Sequence, residues 1–372
     1  MRSGSDVRRV RAWVLAGTCA IAGCGFTAPQ TVGDGGTGDG PRPDAADGSL
    51  CFGEIERICL DALPSGPFMV GGGLTAPINT DTSTFCKAPA VGSSVSAACV
   101  IAGTSVLIDG TLRATGSRPL VIVSTSSLTI NGTGLVDVSS RGWIERGAGV
   151  RLTCAVGTPP LPTGGGAGGS FGALGGPGGA GSLGVGGTAT PATGLVGLAG
   201  GCPGTDGGAT TPGDAGAGGF GGGTVDLIAV IGVTINGRVN ASGGGGNGGQ
   251  DSAGGGGGGG AGGAIVLDAP AVTLNGSGAM FAQGGGGGEG AGDAGAGQRG
   301  QDPSTPGTAA TGGNGLEPGG GDGGAGGVTA AGDAGLEDND SGGGGGGGAG
   351  HIRCTDASPT TGGDAFPAMQ CP

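Results

Sequence analysis

The chain has 372 residues, of which 105 are glycine and 3% aromatic, with no tyrosine, a single histidine and a formal net charge of −13. So few large side chains exclude a conventional globular core, while 35% hydrophobic residues and a low share of charge exclude a typical charged disordered chain. The acidity excludes nucleic acid and anionic lipid surfaces as electrostatic partners, since both require basic patches.

The N-terminus carries Arg2, Arg8, Arg9 and Arg11, then a mostly apolar run from Trp13 to Gly23. This is the layout of a secretory signal, too short for the roughly 20 residues of a bilayer span. The run ends Ile21-Ala22-Gly23-Cys24, which resembles the bacterial lipobox. The resemblance implies cleavage after residue 23 and diacylglycerol on Cys24, with Cys19 a poorer candidate because Thr18 precedes it. Arg8-Arg9 lacks the rest of a twin-arginine signal, so Sec export is expected. Gly25 follows the cysteine where aspartate often directs retention in the inner membrane, so the resemblance implies an anchor in outer-membrane lipid. Residues 24–50 have almost no large apolar side chain and read as a flexible tether. Without the leader the net charge falls to −16, because residues 1–23 hold four arginines and only Asp6 among the acids.

Eight cysteines remain: Cys51, Cys59, Cys86, Cys99, Cys154, Cys202, Cys354 and Cys371. An even count in an exported chain reads as disulfides. Connectivity is open among 105 possibilities; pairing of chain neighbours (51–59, 86–99, 154–202, 354–371) is the expectation. No CxxC occurs and one histidine cannot complete the usual His/Cys site, so no metal and no cofactor is expected.

From residue 106 onward a degenerate repeat appears: Val106-Leu-Ile-Asp-Gly110, Leu128-Thr-Ile-Asn-Gly132, Val233-Thr-Ile-Asn-Gly237 and Val272-Thr-Leu-Asn-Gly276. Each is followed by a second short strand beginning at Leu112, Val136, Val239 or Met280. Alternate positions are apolar, the period of a half-buried strand. Such a one-sided strand pair buries its face only by stacking on copies of itself. Asp109, Asn131, Asn236 and Asn275 precede the corner glycine, where tolerance of the left-handed conformation is useful. The fold expected is all-β: a single-stranded right-handed parallel β-helix or solenoid with glycine-rich insertions at one corner. The expected organisation is a segment 51–99 capping the solenoid, a body 100–354 with glycine arms 157–223, 243–263 and 284–350, and a disulfide-tied tail 355–372.

Within the first arm every third residue from Gly166 to Gly187 is glycine. Three residues per turn is the period of polyproline II. Glycine at each third position lets extended helices approach and bond backbone to backbone, so a polyglycine II bundle is expected, with flexible loops as the alternative. These features resemble glycine-rich surface lipoproteins of environmental bacteria, and in composition alone the PE-PGRS proteins, whose N-terminal PE domain is absent. The resemblance brings no active site with it.

Several motifs bear on possible chemistry. Gly312-Gly-Asn-Gly-Leu-Glu317 matches half of a calcium nonapeptide but does not repeat, and Glu337-Asp338-Asn339-Asp340 reads as a solvated acidic turn. His351 would be needed for a Ser/His/Asp triad but reads as a surface or edge histidine. Thr129, Thr234 and Thr273 form a possible outward ladder, similar to those of ice-binding solenoids. Among exposed strand positions only Arg113 and Asp137 are charged, thin for the polysaccharide lyases that share the parallel β-helix. The expected role is therefore a non-enzymatic one: an outer-membrane, lipid-anchored structural or adhesive protein with a cell-surface or glycan partner. The alternatives are a polysaccharide-active enzyme or an ice or glycan binder.

Overall fold

The computed structural model describes residues 50–372 except 72–74, 156, 252, 294 and 316–319. The expected leader, Cys24 and the expected tether as far as residue 49 lie outside the described residues. The described chain is all β, with no helix. A hairpin of β1 (Leu50–Phe52) and β2 (Ile58–Leu60) comes first. The chain then visits three parallel sheets in rotation. The first circuit is β3 (Phe68–Val70), β4 (Thr75–Asn79) and β5 (Cys99–Gly103). The second is β6 (Val106–Ile108), β7 (Thr111–Thr115) and β8 (Leu120–Ser124). The third is β9 (Ser127–Ile130), β10 (Leu135–Asp137) and β11 (Thr224–Ala229). The fourth is β12 (Gly232–Ile235), β13 (Arg238–Asn240) and β14 (Ala264–Asp268). The fifth is β15 (Val272–Leu274), β16 (Ala279–Phe281) and β17 (His351–Cys354), and β18 (Thr360–Thr361) and β19 (Asp364–Phe366) begin a sixth. The first and second sheets have six strands each and the third has five.

The register explains the repeat. Val106 pairs with Leu128, and Val233 with both Leu128 and Val272; Ile108, Ile130, Ile235 and Leu274 align in the same way. Every inward position of the repeat, from Val106 to Ala282, falls in one apolar core, mostly at zero exposure. Burial of each large aliphatic side chain contributes about 1.5–3 kcal/mol, and none could be buried by a single circuit. The sheets extend further at both ends than the repeat alone indicates. Phe68–Val70 and Thr75–Asn79 complete a circuit inside the segment expected only to cap, and β18 and β19 lie within the expected tail.

The corner residues correct one expectation. Asn131, Asn236 and Asn275 are not left-handed, and neither are the glycines that follow them. Asparagine serves there by stacking instead: Asn275 Nδ2 donates to Asn236 Oδ1, and Thr133 Oγ1 donates to Asp109.

The glycine-rich segments all join a second-sheet strand to a third-sheet strand, at residues 138–223, 241–263 and 282–350, where the second circuit needs only 116–119. They run extended and bond to one another at every third residue. Each of the nine N–H groups from Gly255 to Gly263 donates to a neighbouring backbone carbonyl. Gly255, Gly258 and Ala261 reach residues 208, 205 and 202; Gly256, Gly259 and Gly262 reach 342, 345 and 348; Gly257, Gly260 and Gly263 reach 247, 244 and 241. Its carbonyls accept from three further segments, through Gly166 and Gly169, through Gly216, Gly219 and Gly222, and through Gly285 and Gly288. One segment thus has six neighbours, and of its nine residues only Ala261, packed with Phe171, carries a side chain. A Cβ added at Gly258 would overlap the carbonyl oxygen of Ala167, and one at Gly259 that of Gly285.

Disulfides close the ends of the third sheet. Cys86–Cys99 holds Lys87 antiparallel against Val100 on β5, and Cys354–Cys371 holds Gln370 against Arg353 on β17. An open parallel edge invites pairing with other chains, and both edges of this sheet are covered. Cys51–Cys59 crosses the β1–β2 hairpin, and Cys154–Cys202 ties two segments of the first arm.

Candidate functional site

Strand geometry decides which side chains leave the core. On β7 and β10, Leu112, Ala114 and Val136 point inward, so Arg113 and Asp137 stand on the outer face of the second sheet, paired in register. Strand alternation by itself predicts that both are exposed. They are buried, at 7% and 4% exposure, because residues 139–147 leave β10 and fold back over that face. Arg113 Nη1 lies 2.9 Å from Asp137 Oδ1 and donates to Ser139 Oγ at 3.1 Å. Its Nε and Nη2 reach Glu145 Oε1 at 3.3 and 3.1 Å. Arg141 Nη2 stands 3.5 Å from Asp137 Oδ2, and Ser139 donates both N–H and Oγ–H to Asp137 Oδ1. A buried guanidinium needs partners around its whole fork, and here it has them. The group acts as a clamp: it fixes the 141–145 turn, closed by backbone bonds between Arg141 and Glu145, on the sheet.

The outer face of the third sheet is covered by the β1–β2 hairpin and by Leu195 and Leu198. Asp226 sits there fully buried, with no hydrogen-bond partner for either carboxylate oxygen among the described residues. Burial, then the nearby Asp268 and Glu56 carboxylates, push its pKa well above the ordinary value of 3.8. Asp268 accepts the N–H groups of Glu54 and Ile55, each at 2.7 Å, and seats the hairpin turn. Its pKa is raised too, burial outweighing those bonds. Nothing in the sequence marks Asp226 apart from its place in Thr224-Val-Asp-Leu-Ile, a carboxylate inside a strand whose other residues after Thr224 are all apolar.

Asp226 makes stability depend on pH. The folded chain keeps a proton that the unfolded chain releases near 3.8, so stability is expected to fall as pH rises from there through the raised folded value. Asp226→Asn should flatten that slope and melt at least about 2 °C above the parent at pH 8. A parallel decline of both melting temperatures between pH 4 and 8 would count against it.

His351 is buried under the first arm rather than placed at the surface, because Phe171 and Thr193 fold over the start of β17. Its Nε2 lies 3.1 Å from the Thr193 carbonyl and its ring meets Phe171 edge-on at 4.7 Å. Burial, with Arg353 and Arg151 near, lowers its pKa. The neutral ring donates Nε2–H to that carbonyl; no serine hydroxyl or carboxylate bonds to Nδ1 among the described residues.

On the first sheet Thr129, Thr234 and Thr273 do stack outward in register, and Thr360 adds a fourth rung. The ladder ends at Leu107 and Met69 on the other side. Thr360 comes from a strand without the apolar pattern of the repeat, so the sequence did not point to it. Among the described residues no group of three His, Cys, Asp or Glu side chains is placed to hold a metal ion; Glu317 lies outside them. No family model matches the chain, and neither a curated protein nor a solved structure does.

Proposed function

We propose that the protein is an exported, lipid-anchored cell-envelope protein with a structural or adhesive role. Its body on this reading is one right-handed parallel β-helix with polyglycine II arms packed at one corner. The rotation of the chain through three parallel sheets supports the helix, and strand-to-parallel-strand crossovers are right-handed in nearly all cases. The three-residue period of the inter-segment bonds supports polyglycine II. Signal cleavage before Cys24 and acylation of that cysteine would attach the body to outer-membrane lipid through a tether of residues 24–50.

The observation that carries the role is the bonding of the arms. Backbone-to-backbone bonds make the glycine segments an ordered body beside the sheets, built to present surface. Arg113 and Asp137, on which a lyase-type reading would rest, engage each other and the 139–145 turn. The test is a deletion strain, expected to lose cell–cell or cell–surface attachment and to regain it with the parent gene. Complementation by Cys24→Ser should fail, with the protein released from the membrane fraction. Normal attachment of the deletion strain would remove the role. Release of products from a polysaccharide panel by the purified protein would put an enzyme in its place. The four-rung threonine ladder favours ice binding as the second reading; thermal hysteresis lost on replacing Thr129, Thr234 and Thr273 would establish it.

A further inference from the structure

Trp143 is the only tryptophan outside the leader, and it stands exposed at 42%, next to Ile144 at 73%. Phe85, at 62%, is the other strongly exposed ring among the described residues, but Trp143 alone of the two stands on a turn held by buried ion pairs. From below, Arg113, Asp137 and Glu145 clamp the turn through the ion pairs described above. From the side, Asp302 Oδ1 accepts the N–H groups of Gly142 and Gly245, each at 2.8 Å. Gly142 is left-handed, at φ 56°, and a Cβ there would press on the Arg299 guanidinium, so Arg299 lies directly against the turn.

The carboxylates around the ring are all paired: Asp137 is buried against Arg113, Asp302 faces backbone N–H groups and Arg299, and Glu145, 41% exposed, is held by Arg113 and Arg141. The guanidiniums point outward. Arg141 and Arg299 have side chains 58% and 45% exposed, and Arg146 is exposed and rides over the Phe220 ring at 4.7 Å. Arg113, Arg141, Arg146 and Arg299, four cations, face the three anions Asp137, Glu145 and Asp302, so this turn and its flank carry one net positive charge beside an aromatic platform in a chain of net charge −13.

We propose that the 141–146 turn with Arg299 is a binding site for a carboxylated polysaccharide. The Trp143 ring would lie against the apolar face of a sugar ring, a contact an indole makes with large area and little entropy loss. Arg141, Arg146 and Arg299 would pair with the uronate carboxylates, for which the planar guanidinium fork is suited. Anchoring by the Arg113 clamp leaves little ordering cost on binding. The inference deepens the adhesive reading above by naming the class of partner, and it rests on that reading only for its biological meaning.

The test is affinity electrophoresis of the purified protein in gels containing polygalacturonate, dextran or no polymer. Retardation is expected in polygalacturonate alone, weakened at least about tenfold in apparent affinity by Trp143→Ala and by Arg141→Ala/Arg299→Ala, and reduced by added salt. Trp143→Ala removes an exposed ring, so its melting temperature should equal that of the parent. The conservative Trp143→Phe should recover part of the retardation. No retardation, equal retardation in dextran, or retardation unchanged by Trp143→Ala would each overturn the site. Retardation that depends on Trp143, with normal attachment of the deletion strain, would support the site and remove the adhesive role alone. Lost attachment with a silent Trp143→Ala would do the reverse.

Discussion

Gly258→Ala is expected to destabilise the protein by about 3 kcal/mol or more, an unusual cost for one methyl group. The Cβ would fall on the carbonyl oxygen of Ala167, and that oxygen belongs to a backbone that is itself bonded on several sides. Side chains in a core can change rotamer to admit a methyl; backbone carbonyls in a bundle of six neighbours have no equivalent motion. Gly132→Ala is the control. A Cβ there meets nothing within 4 Å, and the change should be neutral or stabilise by up to about 1 kcal/mol through the unfolded chain. Denaturant unfolding of the two variants checks the difference, and amide exchange should rise in Gly342–Gly348, which bonds to the same segment. Similar midpoints would mean that the arms do not pack as described.

Ile235→Asp is expected to cost at least as much, about 4–5 kcal/mol. Ile235 is fully buried between Ile130 and Leu274 in the central column, and no cation lies in that core. Its neighbour Thr234 is on the outer face of the same strand, and Thr234→Ala should cost about 0.5 kcal/mol or less. The contrast tests register directly, since a slip of one residue exchanges the two faces. Equal effects of the two substitutions would refute the pairing.

Much of the architecture is written in local pattern. The Val-Thr-Ile-Asn-Gly repeat determines strand, inward face and stacking together, because alternation has only two faces and one of them must be buried. The cysteines were informative for three bridges, 8, 13 and 17 residues apart, because such near neighbours are easily brought within bridging distance; Cys154–Cys202, 48 apart, depends on how the first arm folds back. The glycine period determined that the arms could approach one another, since only a residue without Cβ permits it. What covers each face was decided by tertiary structure alone. Arg113, Asp137 and His351 have the polarity of surface residues and read as such, yet residues 139–147 fold back over the first two and Phe171 and Thr193, more than 150 residues before it, fold over the third. Asp226 resembles any strand aspartate in sequence terms, and the hairpin at residues 50–60, more than 160 residues away, with Leu195 and Leu198 makes it a buried carboxyl. Trp143 stays partly in solvent for the complementary reason: its own turn covers the sheet, and Asp302 and Arg299 hold the side of that turn while its tip, Trp143 and Ile144, remains exposed. Burial is a property of distant neighbours, and a one-dimensional pattern records only which face a residue takes.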